Sequence, residues 1–193
     1  MILFVFMMAG TLVNAQTLTI KSSTVTIDGE TNVNHDFTTK VTQLNGKMTV
    51  ANNRPQTLAV EIPVRSIISG EKVMDKKTHE TFKAAKNPMI HFNMTELNSM
   101  QVNGKAIAVT VTGNLSMGGA TKKVTLKADG KEVSPGVYTF EGALPLKMSD
   151  FNMKAPTAML GTMKTKDQVT VNYKVTFEGS AVSFDQKEYT QNK

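Results

Sequence analysis

Apolar residues recur at every second position through most of this chain, in runs separated by short breaks rich in Gly, Asn and Pro. That period marks strands with one buried face, because successive side chains of a pleated strand point to opposite sides. Val25 and Ile27 open the pattern. Val33, His35 and Phe37 continue it past a bend predicted at Asp28-Gly29, with odd positions facing inward. Asn45-Gly46-Lys47 reads as a type I′ hairpin turn, and Leu58, Val60, Ile62 and Val64 alternate beyond it as far as Ser69-Gly70. Ile90, Phe92 and Met94 lead to Asn103-Gly104-Lys105, which predicts a reversal into Ile107, Val109, Val111, Gly113, Leu115 and Met117. Gly118-Gly119, Asp129-Gly130 and Pro135-Gly136 predict three more reversals around Val124, Leu126, Ala128 and the run ending at Leu144, Leu146 and Met148. Val169, Val171, Tyr173, Val175 and Phe177 form a last long strand.

One segment departs from this rhythm. Between Glu71 and Lys86, Met74, Thr78, Phe82 and Ala85 recur at helical spacing, and Asn87-Pro88 stops the helix because a residue before proline avoids the helical region. With a single helical insertion near 71–86 and no alternation of strands with helices, the pattern predicts an all-β, antiparallel, up-and-down barrel of about eight strands. Closure removes exposed sheet edges, and a barrel of that size encloses room for one small or elongated ligand.

The 193 residues suit one core. Ile2 to Gly10 is apolar but too short to span a bilayer, and Val13-Asn14-Ala15 supplies the small residues of a cleavage site. Residues 1–15 are therefore expected to be an export signal cut before Gln16, although no basic residue precedes Lys21. The barrel domain is placed at 16–179 and a polar tail at 180–193, where Val182 and Phe184 could prolong an edge. A periplasmic or secreted location follows, without stable membrane insertion.

With no cysteine, disulfides, thiolate catalysis and cysteine-based metal centres are excluded. Lys and Arg number 22 against 16 Asp and Glu, a net charge of +6. Only Arg54 and Arg65 are arginines and the lysines are scattered, so the basic balance reads as a solvated surface and predicts no nucleic-acid partner.

The candidate chemistry is sparse. His35, His79 and His91 lack ligand spacing, and His91 lies on the opposite strand phase to Ile90 and Phe92. His35, in phase with Val33 and Phe37, is expected to be a hydrogen-bonded interior histidine or a head-group contact at the barrel mouth. Gly113-Asn114-Leu115-Ser116-Met117-Gly118 misses the nucleophile elbow by one position and runs from strand into hairpin, where the elbow needs a strand, turn and helix. Ser149-Asp150 reads as a local turn, Asp75 and Glu80 as a solvated helical face, and no phosphate loop occurs. No catalytic residues, metal or cofactor are predicted. The 13 methionines suit either an adaptable pocket or ordinary core filling.

Three segments together resemble the YceI-like proteins, whose architecture is lipocalin-like. These are Val60-Glu61-Ile62-Pro63-Val64-Arg65-Ser66-Ile67-Ile68-Ser69-Gly70, then Phe82-Lys83-Ala84-Ala85-Lys86-Asn87-Pro88-Met89-Ile90-His91-Phe92, then Thr112-Gly113-Asn114-Leu115-Ser116-Met117-Gly118-Gly119-Ala120-Thr121-Lys122-Lys123-Val124. Lys147-Met148-Ser149-Asp150-Phe151 adds a further similar step. The resemblance implies an exported, non-enzymatic barrel that holds an amphiphilic chain, an isoprenoid such as a quinone or isoprenyl phosphate, or a fatty chain. The lining candidates are Phe37, Ile67, Phe82, Phe92, Leu115, Met148, Phe151 and Met159. Two other readings stand beside it: an envelope stress or protein-interaction barrel with a filled core, and a metal-assisted hydrolase using His35. A symmetric homodimer is the default expectation for assembly.

Overall fold

The computed structural model describes residues 15–33, 35–158, 161–184 and 189–190. Eight long strands carry the fold: β1 (Gln16–Thr31), β3 (Asn45–Ala51), β4 (Arg54–Pro63), β6 (Met89–Asn103), β7 (Ala106–Met117), β8 (Ala120–Ser134), β9 (Val137–Lys147) and β11 (Met163–Gly179). Short elements complete it: β2 (Asp36–Val41), β5 (Ile67–Ile68), the helix α1 (Lys72–Thr81), β10 (Thr157–Ala158) and β12 (Tyr189–Thr190). The long strands follow one another in the sheet in chain order, and β11 returns to pair with β1, so the sheet closes into an antiparallel barrel. Its interior is continuous with two apolar clusters, one around Phe92, Leu115 and Met148 and the other around Met100, Phe140 and Phe177.

β2 and β3 are one strand with an interruption. Val25 pairs with Val41 and Leu18 with Met48 in the same hairpin register, while residues 42–44 leave the ladder. There the Thr42 amide donates to the Ser66 carbonyl and the Ser66 hydroxyl to the Gln43 carbonyl, so the 3-10 turn Val64–Ser66 takes over the lost pairing. β8 and β9 pair only over their lower halves, from Asp129↔Glu141 to Ser134↔Val137. Above that level they separate, and the 3-10 turn Met148–Phe151 packs beside the seam. The Ser149 amide and hydroxyl both donate to the Asp167 carboxylate, at 2.8 and 2.5 Å, which ties that turn to β11.

Several turns lie away from the positions the sequence suggests. Asp28-Gly29 is inside β1, and the reversal comes after Thr31. Asn45-Gly46 is likewise in strand, and the hairpin between β3 and β4 turns at Asn52-Asn53, both with positive φ of 52° and 61°. Asparagine tolerates this left-handed backbone, so an Asn-Asn pair serves as the type I′ turn. Asp129-Gly130 is within β8, where its glycine accommodates the Phe140 ring, and the reversal falls at Pro135-Gly136. The Asn103-Gly104 and Gly118-Gly119 turns lie where the pattern puts them, and so does the start of the helix, which ends at Thr81, short of Asn87-Pro88, with Lys83 beyond it in the left-handed region at φ 53°.

The C-terminal segment, expected to be a polar tail, closes the lower end of the barrel. Phe184 is buried and meets Tyr138 edge to face at 5.1 Å and 82°. The Tyr138 hydroxyl donates to the Val182 carbonyl and accepts from the Val182 amide, both at 2.8 Å. Beyond it β12 pairs with Met100 and Ser99 of β6, and Arg54 stacks on the Tyr189 ring at 4.3 Å. The expected export signal and Met159 lie outside the described residues.

Truncating a buried phenylalanine costs about 3 kcal/mol or more, so Phe184→Ala is expected to lower the thermal midpoint by roughly 6–12 °C, read by circular dichroism. An unchanged midpoint would show that the segment adds nothing to the core. For the Asp167 latch, the hydroxyl and amide of Ser149 hold the carboxyl below its ordinary value of 3.8. A folded pKa below the unfolded one stabilises the protein above the ordinary value and ceases to do so as pH falls through the folded one. Asp167→Ala is therefore expected to melt earlier than the parent at pH 7, and the gap should close in strong acid; a gap of constant size across that range would remove the latch.

Candidate functional site

Inward-facing residues of the barrel leave a central cavity of about 250 Å³. Its walls come from the alternate positions of every long strand, among them Val25 and Ile27, Ile90 and Phe92, Val109 and Val111, Leu144 and Leu146, and Val169 and Val171. Along β6 the lining runs from Ile90 to Met100. Ten residues of strand rise about 33 Å, which a tilt typical of small barrels reduces to about 25 Å along the axis. A cavity this long and narrow suits an extended chain.

Among the described residues no charged side chain lines it; the polar members are Thr39, Thr78, Thr81, Thr165 and Tyr173. The Tyr173 hydroxyl donates to the Lys127 carbonyl at 2.8 Å, and burial pushes its pKa up to about 12, so it stays neutral and presents mainly its ring. Close approaches shape the walls. A side chain at Gly113 would come within 2.5 Å of the Phe92 ring, so the missing Cβ is what lets that ring lie across β7.

The two ends differ. Met100, Ile107, Phe140, Phe177 and Phe184 fill the lower end, with Phe140 and Phe177 edge to face at 6.2 Å. At the upper end Thr78 and Phe82 from the helical segment, Phe37 from β2, and Met153 and Pro156 from the loop before β10 surround the mouth. α1 has no buried residue of its own and is held by side-chain tethers. Asp75 accepts from the Ser69 amide and hydroxyl at 2.6 and 2.7 Å, which holds its carboxyl below the ordinary value, and His79 Nε2 lies 2.9 Å from the Ile67 carbonyl.

Of the residues singled out from the sequence, Phe37, Ile67, Phe82, Phe92, Leu115 and Met148 all line this cavity. Phe151 is buried but lies outside the lining, at the seam between β8 and β9. His35 and Val33 are exposed, in contrast to their expected inward phase. The reason is the turn after Thr31: alternation does not run through a reversal, so Val33 and Phe37 belong to different elements. His91 faces outward, with Nδ1 3.6 Å from Glu61. Among the described residues no three His, Cys, Asp or Glu side chains group as a metal site. Alternation within β7 and β11 could have supplied Val111 and Val171 as lining residues. No local signal marked Leu44 or Met153, which enter through a break and a loop, and Phe184, expected at most to prolong an edge, enters from the segment after β11.

None of the helices in the described residues is long and apolar enough to cross a membrane. A polyisoprenoid binding domain from Saccharophagus degradans, implicated in plant cell wall breakdown, superposes with a TM-score of 0.68 at 13% identity, over 87% of this chain and 99% of that one. BcnA of Burkholderia cenocepacia gives 0.66 at 20% identity, over 80% and 95%. At this identity the likeness is one of fold. A UPF0312 protein of Pseudomonas aeruginosa (strain LESB58) is 32% identical over 118 residues, which cover 56% of this chain and 59% of that relative. The chain thus spans about three fifths of the length of the curated relative it matches. The family model of the YceI-like domain matches residues 16–177, all of the barrel but its last strand end. This chain is therefore a member of the YceI-like family.

Proposed function

We propose that this protein binds a single amphiphilic lipid, its tail in the barrel and its head group at the upper end, as an exported carrier or store in the periplasm or outside the cell. The tail is an isoprenoid, as in a quinone or isoprenyl phosphate, or a fatty chain. The observation that carries the reading is a long cavity walled by apolar side chains, with no charge facing in among the described residues. A polar or ionic guest would lose its hydration there without compensation, whereas an apolar one gains from leaving water. The polyisoprenoid binding of the Saccharophagus degradans domain lends support.

The energetics favour long tails. Each methylene-sized group moved out of water contributes about 0.8 kcal/mol, so about ten carbons supply about 8 kcal/mol against an association cost of at least about 4 kcal/mol. Methionines at Met48, Met94, Met117, Met148 and Met153 let the wall adjust to the guest, because an unbranched thioether adopts several shapes at little cost. Binding needs no catalytic group, and a carrier role without chemistry accounts for every feature of the cavity.

Organic extraction of gently purified protein followed by mass spectrometry is expected to recover a lipid with a long apolar tail. Calorimetry with isoprenols of rising length should give affinity that increases at each added unit, and Val171→Trp, which fills the cavity from β11, should weaken binding at least tenfold while the far-ultraviolet spectrum is kept. Protein that is empty on extraction and takes up neither quinones nor fatty chains would overturn the carrier reading.

A further inference from the structure

The barrel wall is not uniform. β8 is paired to β7 from Ala120 to Lys131, and β9 to β11 along its length, but between residues 120–128 of β8 and 142–147 of β9 the ladder is missing among the described residues. The lower limit of this seam is fixed by Tyr173, whose hydroxyl reaches the Lys127 carbonyl on β8. That reach needs Gly142, where a Cβ would come within 2.3 Å of the Lys127 carbonyl oxygen and 2.6 Å of the Tyr173 hydroxyl. Above this point, among the described residues, the two strand edges face each other without a ladder, and the turn bearing Phe151 lies over them.

A surface cleft follows the seam. Leu144 and Leu146 line both this cleft and the central cavity, so a single layer of side chains divides the two spaces. The cleft is lined by Lys122, Lys123 and Lys147 against one acid, Asp150, and by the buried Phe151. Lys122 is the informative one. It pairs with Leu115 and shares the inward phase of Val124, Leu126 and Ala128, yet it is exposed. Lys122 thus sets a solvated charge at the top of the inward-phase positions, where the apolar wall gives way to the cleft. The turn bearing Phe151 is held by Ser149 to Asp167 of β11 rather than by the edges it covers.

We infer that the seam between β8 and β9 is a head-group site, in which Lys122, Lys123 and Lys147 and the unpaired strand edges receive the phosphate of an anionic amphiphile whose tail enters the cavity past Leu144 and Leu146. This rests on the carrier reading and names its ligand class: a phosphorylated chain is preferred over a neutral one with the same tail. The lysines supply charge, and the edge amides supply donors of the kind that bind phosphate elsewhere in proteins. Exposed cations act weakly one at a time, so three together are expected to give about a tenfold preference.

The test compares geranylgeranyl phosphate with geranylgeraniol, which share a tail, by calorimetry on the purified protein at low salt. The parent should bind the phosphate about tenfold more tightly, and the preference should shrink as salt rises. The K122A/K123A/K147A variant should bring the ratio of the two affinities to near one, and K122R/K123R/K147R should restore it. K105A/K131A, at the far end of the barrel, should leave it intact. Inorganic phosphate alone separates the sources: if it displaces the phosphorylated lipid at the concentration at which it binds empty protein, the seam is a free-anion site and the head-group proposal falls. Equal binding of alcohol and phosphate by the parent, or a preference that survives the triple alanine variant, also overturns it while leaving the carrier reading in place. If neither lipid binds, both fall together.

Discussion

Every feature of this molecule depends on the ladder between β1 and β11, which joins the two ends of the barrel domain. Leu18 pairs with Gly179 and Ile27 with Val171, so segments about 150 residues apart in the chain must meet before any interior exists. Without that pairing the sheet has two long free edges and one greasy face exposed to water, a state prone to aggregate. With it, alternate side chains of eight strands become the wall of an enclosed space. The cost is loop-closure entropy at the largest sequence separation in the fold, recovered only once the inner face is buried.

The enclosed space takes its character from what is absent at inward positions. Charges are confined to outward phases along most of the wall, and the Tyr173 hydroxyl is satisfied by a backbone carbonyl, so the interior repels water and ions alike. The ends then set direction. Below, Phe184 and its neighbours are locked to Tyr138 and β6, giving a hydrophobic floor. Above, a helix without buried residues is tethered by Asp75 and His79, and the wall opens into a seam bordered by lysines. A guest with one apolar and one anionic end matches that gradient in a single orientation.

A barrel closed everywhere by hydrogen bonds would be rigid and hard to load, since each opened pair exposes polar groups. Among the described residues ladders close most of the wall, but they are missing at the break at residues 42–44, at the β8–β9 seam, and between Arg54–Leu58 of β4 and the lower half of β6, where β12 pairs with β6 instead. Side chains rearrange more readily than ladders. Leu44 lies at the first of these places and Phe151, Leu144 and Leu146 at the seam.

Alternation and turn chemistry in the chain pointed to the class of fold, the inward faces of the long strands and the helical interruption, and together with the family resemblance to six wall positions, Phe37, Ile67, Phe82, Phe92, Leu115 and Met148. These are local properties, fixed by the two-residue pleat and by residues that stop a helix or strand. Tertiary structure alone decided which glycines mark reversals: Gly29, Gly46 and Gly130 stay in strand, because a neighbouring ring or strand needs the space a Cβ would take. It alone placed Phe151 outside the cavity, moved His35 to the surface, and turned an apparently polar tail into the floor of the barrel. Each of those outcomes depends on what lies across the sheet or around the barrel, and a pattern along one strand carries no information about a partner 100 residues away.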